Sequence, residues 1–400
     1  MARTLVRDLA GRRTDAVRLC GWAAGGRVRD HTGEVEVVGL DDRAVDGSAV
    51  EVTGTLAGGR LELTELRVLG PAVEPPSLVD DAPLDARLDL RHLDLRRPRN
   101  RLIFEVQTTV ERAMRAWWER HGFVELHSPS FRSSPNMSGR ELFTVDYFGR
   151  PAYLAQSPQF YKQMAMCAGF ERVFEIGPVF RANPLLTARH DTEFISVDVE
   201  VSWVESHEDV MALEEDWLRS VVEAVAAEHG ADIERRFGRS VIVPDIPFPR
   251  VTLAEVHDIL RTSGGDIDAD GERLLGDHVA TTHGHELVFV TEYPSVVRPF
   301  YHMRLHDGSD LTRSFDLLWN GLEVTTGAQR EHRYDRLSAQ AAVNPARVPA
   351  VQPYLDFFRH GCPPHGGFGL GLTRMLTCLL GLDDVREVTF LPRDRRRLTP

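Results

Sequence analysis

Between Gly361 and Arg374 the chain runs through Pro363-Pro364-His365 into glycines at 366, 367, 369 and 371, and a helical pattern begins at Leu372. Glycine at alternate positions strips one face of a strand of its side chains. Such a strand lies flat beneath a ligand and packs tightly against the next helix. Arg374 then projects from that helix within its first turn. The run is neither a dinucleotide fingerprint nor a P-loop, because no lysine follows the glycines and no Rossmann unit surrounds them. A nucleotide site on this chain has to be built another way.

Of the 47 basic side chains, a single one is lysine, Lys162. Arginine fills every other cationic position, so a bare positive charge was replaceable throughout. A lysine is a compact point charge where arginine is a planar fork, and a pocket closed around one ammonium does not admit a guanidinium. Lys162 is therefore the first candidate for contact with substrate.

The length of 400 residues predicts two or three domains, and the 42% hydrophobic and 27% charged content is that of an ordinary globular chain. No window approaches the roughly 18 apolar residues of a membrane span, and the first residues carry no secretory pattern. Cys20, Cys167, Cys362 and Cys378 are widely spaced without a CxxC pair, against a zinc site or disulfide framework. A reduced, cytoplasmic protein is the expectation. The net charge of -13 disfavours a surface that coats nucleic acid as a whole, leaving Arg393-Asp394-Arg395-Arg396-Arg397 as a local basic patch.

Segments near Val17–Trp22, Glu34–Val38, Ala49–Thr53 and Leu61–Leu66 alternate with period two, and Gly58-Gly59 reads as a hairpin turn. A small barrel over residues 1–70 follows. Residues 71–95, rich in proline and acid at the start, read as a linker to a larger domain at 96–400. There, Phe104 to Arg120 has the stripe of an amphipathic helix, Ser206 to Gly230 is helical, and strands are expected around Phe315, Val324 and Val388. The run Gly264–Gly271 resembles a calcium loop but lacks the closing glutamate at its twelfth position.

Arg181, with Val179-Phe180 before it, and the segment Arg189-His190-Asp191-Thr192-Glu193-Phe194 read as two extended stretches joined by a polar loop. An arginine on each side lets such a hairpin clamp a polyphosphate from two directions, and Phe194 offers a face for a purine.

Gly122-Phe123-Val124-Glu125 with Pro129, this hairpin, and the glycine run together resemble the three signature motifs of class II aminoacyl-tRNA synthetases. Gln156-Ser157-Pro158-Gln159-Phe160-Tyr161-Lys162, the stretch Glu323 to His332, Gly361 to Gly367, and Phe390-Leu391-Pro392-Arg393-Asp394 resemble more narrowly the aspartyl enzymes of the archaeal and eukaryotic type. The resemblance extends from about Asp85 to the end, and the N-terminal barrel matches the family's anticodon-binding OB-fold more loosely. It implies an α+β fold, with an antiparallel sheet flanked by helices, and a homodimer. It also implies adenylation of aspartate, or a close aspartate-like acid, with ATP and Mg2+. Arg181 would hold the α-phosphate, Arg374 the γ-phosphate, with Arg189 and His190 beside the polyphosphate and Phe194 on adenine. Glu323, Thr326 and Asp316 would coordinate magnesium. Lys162 and Arg330 would bind the side-chain carboxylate, with Asp198 pairing Lys162, Gln159 contacting the amino group, and His365 in the same substrate set.

Three departures bear on the amino group and on tRNA. Met137 stands where the family's mobile loop carries a glutamate, with Glu141 nearby as a substitute; a lost charge-assisted bond costs about 1.5 to 3 kcal/mol of binding. Asn183 replaces a glutamate two residues after Arg181, ahead of the apolar Pro184-Leu185-Leu186. The barrel is short between the strands near Val38 and Val50, and poor in aromatics on which bases stack. Transfer to tRNA, transfer to a small amine or carrier, and a non-catalytic binding role all remain open at this point. The intact phosphate and magnesium residues speak against the last.

Overall fold

The computed structural model describes residues 2–10, 16–40, 43–78, 81–133, 142–184 and 187–399. Asn136, Met137, Ser138, Gly139 and Glu141 lie outside the described residues, as do Leu185 and Leu186. The chain divides into two compact units, Met1–Pro98 and Arg99–Pro400.

In the first unit the strands Ala16–Ala24, Arg27–Arg29, Glu34–Val38, Ala49–Ala57 and Arg60–Gly70 close into a barrel. Alternation builds its interior: Val17, Leu19, Val28, Val37, Val50, Val52 and Leu61 all point inward. Gly58 and Gly59 take φ of 58° and 81° in the tight turn between the last two strands. Trp22 is the barrel's sole Phe, Trp or Tyr, and the Arg96 guanidinium lies 3.6 Å above its ring. Part of the segment expected as linker is ordered into the helices Leu84–Asp89 and Arg91–Asp94. They are pinned where the buried Asp94 takes hydrogen bonds from Arg87 Nε at 3.0 Å and Arg91 Nη1 at 2.7 Å.

An eight-stranded sheet forms the second unit's core, in the order Arg250–Thr252, Leu287–Thr291, Ser314–Trp319, Leu322–Arg330, His365–Gly371, Glu193–Ser202, Arg172–Phe180 and Val124–Glu125. Only its two outermost pairs are parallel. Behind it the helices Pro98–Arg120 and His207–Phe237 bury Trp118 and Trp217, whose rings stack at 5.1 Å. The first helix starts before the expected Phe104 because proline is well suited to a helix's opening turn. Ser206 and Asp209 form a capping box that starts the second. Around Val388 the chain makes turns instead of the expected strand. Its polar groups bond to the loop near residue 190: Val385 N to Ala188 O at 2.9 Å, and Thr389 Oγ1 to Asp191 Oδ2 at 3.1 Å. No helix among the described residues is long and apolar enough to cross a membrane.

The glycine strand lies mid-sheet, with Gly369 opposite Asp198 on one side and Thr326 on the other. With no side chain at 369, the groups on both neighbouring strands share open space above it. A Cβ at Gly367 would come within 2.0 Å of Val199 O, so that glycine is required for the strands' close approach.

Candidate active site

A cavity of about 550 Å³ opens above this strand. Arg181 follows directly on the strand Arg172–Phe180, and the hairpin register places Val179 opposite Phe194. The Arg181 guanidinium lies 5.1 Å from the Phe194 ring centroid, and its Nε donates to Gln156 O at 3.4 Å. A cation over an aromatic face thus marks the cavity's middle.

At one end Arg374 reaches back from the first turn of the helix Leu372–Leu380. Its Nη1 donates to Glu323 O at 2.7 Å and its Nη2 meets His190 Nε2 at 3.3 Å. A guanidinium has no acceptor, so His190 Nε2 accepts and its Nδ1 carries the hydrogen bonded to Thr187 Oγ1 at 2.7 Å. Arg189 lines the same end but is held by Glu272, with Nη1 to Oε2 at 2.6 Å.

Glu323, Thr326 and Asp316 come together on two adjacent strands: Asp316 pairs with Thr326 in register, and Thr326 Oγ1 donates to Glu323 Oε1 at 3.2 Å. Burial works to raise the Glu323 carboxyl, but the charges of Arg374, Arg298 and Arg181 outweigh it and hold the group below its ordinary range. Burial does raise Asp316, offset in part by Arg298, which grips both carboxylate oxygens with its fork. Among the described residues no cluster of three or more His, Cys, Asp or Glu could hold a metal alone. Two carboxylates and a hydroxyl still suit magnesium, which takes few protein oxygens and fills the rest from water and phosphate.

The opposite end is walled by Arg330, His302, Tyr301, Gln159 and Asp198. Arg330 is buried, with Nε donating to Glu200 Oε1 at 3.1 Å and Nη2 to Gly367 O at 2.7 Å. Lys162 is not on this wall. It sits beneath, its ammonium donating to Asp198 Oδ1 at 2.9 Å, Phe368 O at 2.9 Å and Val199 O at 3.2 Å. Ser196 Oγ takes the other oxygen of Asp198 at 2.5 Å. His365 also lies behind the wall, reached through Gln159 Nε2 to Gln163 Oε1 at 3.0 Å and Gln163 Nε2 to His365 Nε2 at 3.1 Å. Burial pushes its imidazole down to about 4.

Arg298, Tyr301 and His302 are among the site residues that sequence reasoning missed. They belong to the irregular stretch between the strands Leu287–Thr291 and Ser314–Trp319, where no periodicity assigns a facing direction. Its one signal is composition, an arginine and a histidine flanking Pro299-Phe300-Tyr301. Asn183, the second departure, does line the cavity.

A mainly antiparallel sheet with a bare glycine strand, a hairpin arginine and a helix-borne arginine converging on one cavity defines a class II tRNA synthetase. Residues 83–395 match the family described as tRNA synthetases class II (D, K and N), and the chain belongs to that family. More particularly, it is 41% identical over 425 residues to the aspartate–tRNA(Asp/Asn) ligase of Aeropyrum pernix, covering 96% of this chain and 95% of that protein. The aspartate–tRNA(Asp/Asn) ligase of Deinococcus radiodurans is 38% identical over 435 residues, covering 100% of this chain and 99% of that one. Among solved structures, asparaginyl-tRNA synthetase from Pyrococcus horikoshii complexed with asparaginyl-adenylate superposes with a TM-score of 0.90 at 28% identity, covering 100% of both chains.

Proposed function

We propose that this chain uses ATP to activate aspartate as its adenylate and then transfers the aspartyl group to tRNA. The observation that carries the reading is the convergence, in one cavity, of Arg181 and Arg374 at the phosphate end with the buried Arg330 at the other. In the first step an α-carboxylate oxygen of aspartate attacks the α-phosphorus of ATP. The new oxygen–phosphorus bond forms as the bond to the bridging oxygen breaks, and pyrophosphate leaves with the electron pair. Arg181 stabilises charge growing on the α-phosphate, and Arg374 and His190 hold the departing end. No protein nucleophile is needed. In the second step a terminal ribose hydroxyl of tRNA attacks the acyl carbon, the bond from that carbon to the phosphate oxygen breaks, and AMP leaves with the electron pair while its phosphate takes up the hydroxyl proton.

Glu323, Thr326 and Asp316 would hold magnesium, which when bound stabilises polyphosphate charge as a Lewis acid. Arg330 recognises the substrate's side-chain carboxylate, and Lys162 fixes Asp198 and Glu200 around it from below. Gln159 faces the amino group, and Asp198 pairs with Lys162. The barrel reads as an OB-fold-like anticodon-binding domain, and the protein as a cytoplasmic homodimer.

Transfer to tRNA is favoured over transfer to a small amine because the relatives that match nearly the whole chain, barrel included, carry tRNA ligase names. Both of those names specify Asp/Asn, whereas the relative from Thermoplasma acidophilum, 37% identical and matching the whole chain, is named for tRNA(Asp). A barrel with Trp22 as its sole Phe, Trp or Tyr has few stacking surfaces with which to tell one anticodon base from another. On this poverty of stacking surfaces the reading extends to tRNA(Asp) and tRNA(Asn) both as acceptors.

ATP–pyrophosphate exchange with aspartate, followed by charging of the two tRNAs separately, tests this reading. Exchange driven by aspartate and aspartylation of both tRNAs are expected. Exchange without charging of either would return the small-acceptor alternative.

A further inference from the structure

His302 is buried, with 3% of its surface exposed, and lies on the wall of the cavity beside Arg330. Arg330 Nη1 lies 3.0 Å from His302 Nε2. A guanidinium only donates, so His302 Nε2 offers its lone pair, and the imidazole is the neutral tautomer with its hydrogen on Nδ1. That Nδ1 is buried and has no hydrogen-bond partner among the described residues. The backbone that carries the ring is fixed, bridged to Arg330 and with its carbonyl accepting from Gln340 Nε2 at 3.2 Å. Burial, then the charges of Arg330, Arg298 and Lys162, push the imidazole well below its ordinary value, which agrees with the neutral form.

A buried donor left unpaired costs about 1 to 3 kcal/mol and is tolerated where a ligand completes it. The surroundings say what kind of ligand. Among Lys162, Arg330, Asp198 and Glu200 the formal charges cancel, and Arg132, which also lines the cavity and interacts with Asp198 and Tyr301, leaves this end with one net positive charge. All three ammonium hydrogens of Lys162 have acceptors within the protein. Directed donors that remain here, beside the Arg132 guanidinium, are the second hydrogens on the Arg330 Nη atoms and the hydrogen on His302 Nδ1.

We propose that His302 donates its Nδ1 hydrogen to one oxygen of the substrate's side-chain carboxylate, completing with Arg330 a donor-only socket that selects aspartate over asparagine. This rests on the aspartate-activating function proposed above. A carboxylate presents an acceptor to each member of the socket. An amide presents one acceptor and one group with hydrogens of its own, and those would face donors.

The test is pyrophosphate exchange by wild-type protein, His302→Ala and His302→Asn, with aspartate, asparagine and ATP each varied. In His302→Ala the KM for aspartate rises about 10- to 100-fold, that for ATP is unchanged, and the preference for aspartate over asparagine falls by a similar factor. His302→Asn, whose amide N–H falls near the Nδ1 position, recovers part of the loss. Equilibrium titration of aspartate by calorimetry onto variants of native circular dichroism gives the same readout where turnover is too low. An aspartate KM within twofold of wild type, or equal losses for aspartate and asparagine, overturns the inference. Wild-type protein that does not exchange with aspartate at all would instead overturn the functional reading.

Discussion

Lys162 Nζ donates to Asp198 Oδ1 at 2.9 Å, and each of the two side chains is 4% exposed. Three acceptors converge on this ammonium from the two central strands, a geometry that suits a tetrahedral cation and not a planar fork. The lone lysine of the chain is thus explained by the pocket that encloses it, although it braces the cavity from beneath. Lys162→Met leaves two buried carboxylates facing one cation, and breaking a buried pair from one side costs about 3 to 5 kcal/mol. Denaturant titration would show a large drop in the midpoint of unfolding. Lys162→Arg is expected to lower aspartate preference in exchange, since the guanidinium has to displace Asp198 or the glycine strand. Retained preference would count against this account of the pocket.

Arg374 and Arg189 line the same end of the cavity but differ in commitment. The fork of Arg374 engages Glu323 O and His190, both of which face the cavity, whereas Arg189 is tied to Glu272. Arg374→Ala is expected to lower the exchange rate at least about 100-fold, in keeping with removal of a charge-stabilising donor. Arg189→Ala should cost distinctly less. Steady-state exchange at saturating aspartate distinguishes them, and equal losses would mean that Arg189 leaves Glu272 when ATP binds.

What could be read from the chain followed the regular periods. Alternation over Val17–Leu66 specified the barrel strands, and the glycine run specified both the flat strand His365–Gly371 and the helix Leu372–Leu380 that carries Arg374. Nearest-neighbour geometry could not be read. The sequence offers no sign that Asp316 is gripped by Arg298, because the two residues are joined by an irregular segment whose path depends on tertiary packing. Nor does it show that Lys162 sits behind Asp198, off the cavity wall. Near Val388, apolar residues suggested a strand, but hydrogen bonds to the loop around Asp191 hold the segment in turns.

Arg298 offers a test of the magnesium assignment that leaves the identity of every ligand unchanged. The fork on Asp316 orients that carboxylate and opposes its protonation, which burial and the neighbouring Glu323 charge both favour. Arg298→Ala should raise the magnesium concentration for half-maximal exchange about 10- to 100-fold, the usual cost of losing a group that orients a metal ligand. The loss should be recovered in part by raising pH, as Asp316 is then ionised again. An unchanged magnesium dependence would remove Asp316 from the metal site.

Glu214, on the helix His207–Phe237, is fully buried, and neither carboxyl oxygen has a hydrogen-bond partner that meets ordinary geometry among the described residues. Burial pushes it up to about 8 from an ordinary 4.5, and the nearby Thr325 hydroxyl offsets only part of this. The folded protein therefore keeps a proton that the unfolded chain releases above about pH 4.5. Between these two values the native state binds more protons than the unfolded state, so stability falls as pH rises through the window and levels off above about 8. Asp191, raised to about 7 by burial, adds a slope of the same sign. Glu214→Gln keeps the shape and the neutral charge but has no proton to lose, so the Glu214 part of the slope disappears while the Asp191 part remains. Unfolding free energies measured by urea from pH 5 to 9 should therefore diverge, with the variant gaining on wild type as pH increases and the gap constant beyond pH 8. Parallel curves for the two proteins would mean that Glu214 is already ionised in the native state and has found a partner by rearrangement.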